Sequence, residues 1–123
     1  MGYFDREIKN AVITEASITI NGKGILDCWL TLDYGGSGQG FGGYALQLPK
    51  DWAHYSMLGP AGHFIYRVME IAGVNDFDEL TGKSIRVDSD NSKVYRIGHI
   101  VNDDWFDPKA DFELMKELES EDA

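Results

Sequence analysis

Three histidines, one cysteine and a handful of arginines are the residues here whose types could do chemistry. His54, His63 and His99 do not have metal-ligand spacing: the chain holds no HExxH, no histidine pair at i,i+4 and no Cys-x-x-Cys. A single cysteine, Cys28, excludes an internal disulfide and reads as a small buried hydrophobe. Gly36-Ser37-Gly38 is not a nucleophile elbow, because the spacing is wrong and no helix follows. Asp103-Asp104, beside Trp105-Phe106, offer no asymmetry that would separate an acid from a base. No nucleophile, base and orienting group can be named together, so the chain reads as a binder and not as an enzyme. No cofactor is expected.

Binding chemistry is better represented. Residues 33–44 read Asp-Tyr-Gly-Gly-Ser-Gly-Gln-Gly-Phe-Gly-Gly-Tyr, six glycines in twelve positions. Glycine is entropically costly to order, so this density implies backbone at positive φ or a partner in close approach. The interleaved aromatics argue against a plain linker. A shaped loop of this kind can present N–H groups to an anion or nucleotide. On that reading Ser37 and Gln39 bond ribose or phosphate, Phe41 and Tyr44 stack on a base, and Arg67 or Arg96 neutralises phosphate. His63, in the first turn of a helix, adds an anion contact. The competing reading is a wide β-connection with bulges, and for each arginine an ordinary pairing with nearby acids. Gly38-x-Gly40-x-x-Gly43 has dinucleotide-fingerprint spacing, but a run this rich in glycine produces it by chance and no βαβ unit surrounds it. No Gly-Lys-Ser/Thr closes a P-loop.

The elements that would position these residues follow from periodicity. Alternation from Glu7 to Ile20 predicts a strand with Val12, Ala16, Ile18 and Ile20 on one face. Asn21-Gly22-Lys23-Gly24 predicts a hairpin turn, and Ile25–Tyr34 the return strand with Leu26, Cys28, Leu30 and Leu32 inward and Trp29 outward. Tyr44–Leu48, stopped by Pro49, reads as a third strand, followed by an apolar loop with Trp52, His54, Tyr55 and Met57. Gly59-Pro60 opens the main helix, Phe64 and Val68 lie on its apolar stripe, and Gly73 ends it. Asp76 caps a short turn over 75–80. A second hairpin spans Ser84–Asp88 and Lys93–Val101. Asp107-Pro108 caps a short last helix with a thin stripe of Phe112, Met115 and Leu118, fraying from Glu119. The expected fold is α+β: an antiparallel β-sheet with one main helix packed on it, a second β-hairpin and a short C-terminal helix.

Length fits a single domain, residues 1–123, with an acidic tail from about 108. Net charge is −10, and from Asp103 onward nine acids against two lysines hold −7 of it. Such a chain does not suit duplex nucleic acid. No run is long and apolar enough for a membrane span and the first residues are no signal peptide, so the cytoplasm is expected. Trp29, Trp52, Tyr55 and Trp105 are more large aromatics than one small core buries, which predicts a homo-oligomer.

The glycine stretch Asp33–Tyr44, then Ala61-Gly62-His63-Phe64-Ile65, Gly82-Lys83-x-Ile85-Arg86-Val87, and Ile97-Gly98-His99-Ile100 before Asp104-Trp105-Phe106, resemble small phage proteins of the first Thoeris anti-defence type. The resemblance covers roughly residues 8–108. It implies a molecular sponge in the infected bacterial cell, which binds cyclic ADP-ribose isomers made by TIR-domain immune enzymes without cleaving them. It also implies a dimer or hexamer, and in some members separate sites for cyclic oligonucleotides. It carries no contact residue over position by position and leaves the acidic tail unexplained. Two other classes compete: an acidic inhibitor that mimics nucleic acid to bind a host defence complex, and an enzyme that degrades the signal.

Overall fold

The computed structural model describes residues 5–44, 46 and 59–122, with backbone alone over 119–122. Strands β1 (Glu7–Ile20), β2 (Leu26–Asp33) and β3 (Gly38–Gly42) precede helix α1 (Gly59–Ala72). Strands β4 (Ser84–Ser89), β5 (Val94–Gly98) and β6 (Trp105–Phe106) and helix α2 (Pro108–Asp122) follow. The six strands form one antiparallel sheet in the order β3-β2-β1-β4-β5-β6. This is the α+β architecture the periodicity implies. Trp52, His54, Tyr55 and Met57 lie outside the described residues, and no helix among those described is long and apolar enough to cross a membrane.

The first hairpin forms where the Asn-Gly pair places it. Asn21 Oδ1 accepts from the backbone N–H groups of Lys23 (2.9 Å) and Ile25 (3.1 Å), and Gly24 takes φ +77°. The facing of β1 departs from simple alternation. Pairing with β2 slips between Ile13 and Glu15, so Thr14 is an extra residue. Ala11 and Ile13 therefore point into the core, and Val12 stands on the opposite face, 38% exposed. Past the bulge Ala16 is opposite Leu30 and half-buried against the core, while Ile18 and Ile20 are exposed. A single inserted residue reverses the face of a strand, and the sequence alternation carries no mark of it.

Two further boundaries differ from expectation. The third described strand is Gly38–Gly42, inside the glycine stretch; of the expected Tyr44–Leu48 strand, Tyr44 and Leu46 are outside any strand and 45, 47 and 48 lie outside the described residues. Pairing with β2 sets this, Trp29 opposite Gly42 through Asp33 opposite Gly38. The second hairpin's return strand stops at Gly98, and the chain turns into β6, which pairs Gly98 with Trp105 and Ile97 with Phe106. A two-residue strand leaves no alternation to read. α2 continues to Asp122, past the expected fraying point, with Asp107 Oδ1 accepting from Ala110 N (3.1 Å) as its cap.

The core sits between the concave face of the sheet and α1. Phe64, Val68 and Ile71 of the helix are buried against Leu30, Leu32, Ile85, Val87 and Ile97. β3 and β6 stand at opposite ends of the strand order, yet Phe41 and Phe106 meet at 6.2 Å between ring centres, each also on Phe64 (5.7 and 5.4 Å). The sheet is therefore curled around the helix, in the sense that strand twist favours. Burial pushes the Cys28 thiol up to about 11, so it packs as an inert hydrophobe.

On the convex face Asp88 is 6% exposed and held by two arginines. Arg6 forks onto it through Nε (3.0 Å) and Nη2 (2.8 Å), and Arg96 Nε donates at 2.7 Å. Burial alone would raise this carboxyl. The hydrogen bonds from Arg6 and Arg96 outweigh it and hold Asp88 below the usual carboxylate range. A depressed folded-state value stabilises the protein above the unfolded value, near pH 4, and that contribution disappears as the pH falls through the folded value. Urea midpoints measured between about pH 6 and pH 2 should fall steeply below pH 4. Asp88→Asn should be destabilised at neutral pH and show a flatter acid limb; an acid limb unchanged in the variant would remove Asp88 from this role.

Candidate functional site

A groove of about 520 Å³ lies between the outer edge of β3 and the β4–β5 turn. Trp29, Gly43, Tyr44, Ser92 and Lys93 are among the residues that line it. The glycines of the central stretch explain how it forms. A Cβ on Gly43 would stand 2.4 Å from Cζ2 of Trp29, and one on Gly40 would stand 3.2 Å from Cζ3. The indole thus lies along a track of glycine backbone, 44% exposed, where side chains would displace it. Gly42 is constrained by main chain instead: φ is +145°, and a Cβ would lie 2.1 Å from the Cys28 carbonyl oxygen. The six glycines are therefore divided between a tight turn, a strand and an aromatic platform; the stretch is not a loop of free N–H donors.

The far wall of the groove is a locked turn. Asp90 Oδ1 accepts from Ser92 N (2.8 Å), Ser92 Oγ (2.7 Å) and Lys93 N (3.0 Å), and Tyr95 Oη donates to Oδ2 (2.5 Å). The Tyr95 hydroxyl, then these Ser92 and Lys93 bonds, hold the Asp90 carboxyl far below the ordinary carboxylate range, so it stays ionised and fully engaged. Gln39 ties β3 to this wall: Nε2 donates to the Asp90 carbonyl (3.0 Å) and Oε1 accepts from Tyr34 Oη (2.5 Å). Lys93 is exposed, with Nζ 5.9 Å from the Tyr44 ring centre and 5.1 Å from that of Tyr95. Among the described residues no carboxylate lies within ion-pair distance of Lys93, and no acid, histidine or cysteine lines the groove.

The structure separates the residues the sequence groups together. Gln39 and Tyr44 line the groove. Ser37 is exposed in the β2–β3 turn, its carbonyl accepting from Tyr34 N (2.8 Å). Phe41 is 1% exposed and belongs to the core, so it offers no face to a base. His63 Nε2 meets Asp111 Oδ2 at 2.7 Å and joins α1 to α2, its ring edge-on to Phe106 and Phe112. Arg67 Nη2 donates to Asp104 Oδ1 and to the Trp105 carbonyl, both at 2.9 Å, and Nη1 pairs with Glu70. Arg96 is on the convex face, bound to Asp88 with its guanidinium 4.3 Å from the Trp105 ring centre. These cations hold acids and carbonyls of the fold, so none of them meets Tyr44 and Gln39 as a phosphate partner. Trp29 and Lys93 replace them at the groove. The signal for Trp29 is its outward place on a strand; for Lys93 it is only a base at the start of the second hairpin's return strand.

Gln39→Ala should therefore lower stability by about 1–3 kcal/mol, through loss of its bond and an orphaned Tyr34 hydroxyl. A thermal melt unchanged by this substitution would show that the bridge between β3 and the turn is not formed. Among the described residues no group of histidine, cysteine and carboxylate side chains could hold a metal ion. No protein-family model, curated protein or solved structure matches the chain.

Proposed function

We propose that the protein binds a small cyclic nucleotide and withholds it uncleaved, as the phage sponges that its sequence resembles do with cyclic ADP-ribose isomers in the infected bacterial cytoplasm. One observation carries the reading: a nucleotide-sized groove with an indole platform, a tyrosine ring and the Lys93 ammonium, and no carboxylate, histidine or cysteine among the described residues that line it. Aromatic faces hold bases at about 1–3 kcal/mol per stack, and a lysine answers phosphate as a point charge. The lack of carboxylate, histidine or cysteine among the described groove residues supports binding without cleavage.

The test is a titration with the cyclic product of a TIR-domain enzyme, followed by Trp29 fluorescence and calorimetry. Binding should quench the indole, and heat-denaturing the complex should return the ligand intact. Lys93→Glu, at an exposed position, should keep the melting temperature and weaken affinity about tenfold or more, since tenfold corresponds to about 1.4 kcal/mol. A cleaved product would make the protein an enzyme. Unaltered affinity in Lys93→Glu would place the site elsewhere.

A second reading rests on α2, where Leu114 and Leu118 are 54% and 52% exposed among acidic side chains. An acidic helix with two outward leucines fits an inhibitor that docks on a basic protein surface. Glu113→Lys with Glu117→Lys in the full chain separates the two: loss of anti-defence activity with ligand affinity intact supports docking.

A further inference from the structure

We infer that the open edge of β1 from Thr14 to Ile20 is a docking strand for a second copy of this chain, paired antiparallel about Ser17. β1 is longer than its neighbour. It pairs with β4 only over Glu7–Val12, and the Lys83 carbonyl and Gly82 N–H complete that side at Ile13 (2.9 and 2.7 Å). Beyond that point β1 continues to Ile20 with β2 on one side, and among the described residues no strand lies on the other. β3 still flanks β2 opposite Glu15–Ser17, and from Ile18 on the hairpin leaves the sheet as a two-stranded ribbon. Such ribbons are marginal in water and are completed by a third strand.

Nothing in the ribbon's sequence protects that edge. Natural edges carry lysine, proline or inward charge to prevent pairing. Thr14–Ile20 has neither lysine nor proline and a single charge, Glu15. Ile18 and Ile20 are 41% and 74% exposed. The segment is also self-complementary. Antiparallel pairing about Ser17 sets Ala16 against Ile18 of the other copy on one face and Glu15 against Thr19 on the other, so no like charges meet. Residues 14–26 hold one acid and one lysine, Glu15 and Lys23, so two copies approach here without the repulsion that −10 imposes elsewhere. Strand addition across a two-fold axis then joins the sheets of the two copies.

The register makes the test sharp. In the full chain, Ser17→Cys places two thiols on the axis, where opposed Cα atoms of an antiparallel pair lie about 4.5–5.5 Å apart, within disulfide reach. Mild oxidation should convert Ser17→Cys to a covalent dimer, and leave Thr31→Cys, one strand removed from the edge, uncrosslinked; buried Cys28 takes no part. Sedimentation of the unmodified chain should show a dimer, which Ile18→Lys with Ile20→Lys weakens about a hundredfold or more. The melting temperature of the dilute double variant reports that its fold is kept. A monomeric unmodified chain, a dimer indifferent to both lysines, or crosslinking at Thr31→Cys as fast as at Ser17→Cys would each overturn the inference.

Discussion

Replacing Phe64 with alanine is expected to lower the free energy of unfolding by about 3–5 kcal/mol, the range for deleting a buried phenyl ring. Phe64 is fully buried and is the ring on which the two ends of the sheet converge: Phe41 stacks on it, Phe106 meets it edge-on, and Tyr44 lies at 5.9 Å. A cavity there cannot be filled from one side, because its walls belong to α1, β3 and β6 together. The loss should therefore fall at the upper end of the range, and Phe64→Leu should recover part of it. Denaturant melts check both values, and a loss below about 1 kcal/mol would mean that the helix presents another face to the sheet.

The glycine stretch should respond to single methyl groups in a graded order. Gly36 has open space around its Cβ position and no positive φ, so Gly36→Ala should be neutral or stabilise by up to about 1 kcal/mol. Gly40→Ala meets the Trp29 ring at 3.2 Å, which a small indole shift relieves, and should cost little. Gly42→Ala combines positive φ with a backbone oxygen at 2.1 Å and should cost about 2–5 kcal/mol and unpair β3 from β2. A flat series would mean that the stretch is a mobile loop; a series in which only Gly40 and Gly43 matter would leave the indole platform without its strand.

Much of this fold could be read from periodicity and punctuation. The Asn-Gly turn, the Gly59-Pro60 opening of α1 with Phe64 and Val68 buried, the Asp76-capped turn and the Asp107 cap of α2 are local signals, and local interactions realise them. What could not be read depends on distant partners. The bulge at Thr14 shows only in how β1 pairs with β2, and it reverses the face expected for Val12. β3 is a strand because β2 offers an edge, although its own residues are glycine, glutamine and one phenylalanine. The candidate ligand residues show the same division. Tyr44 and Gln39 were placed by their position next to a structured backbone. Phe41 shares the strand face of Gln39 two residues away, but it lies against Phe64 and Phe106 and so belongs to the core. Arg67 and Arg96 were claimed by acids that adjoin them only after folding.

The meeting of Phe41 with Phe106 across the curled sheet also sets an order of events in synthesis. As the chain leaves the ribosome, the β1–β2 hairpin and α1 emerge early and can form on their own contacts, but their apolar faces have no closing strand until β6 arrives near the end. The core cannot be completed piecemeal, and its last contacts join residues far apart in the chain, the condition that slows folding. A chain halted before Phe106 would hold Phe41 and Phe64 against solvent, with an unfinished sheet edge beside them. Nascent or truncated forms of this protein should accordingly be the ones that engage chaperones and proteases.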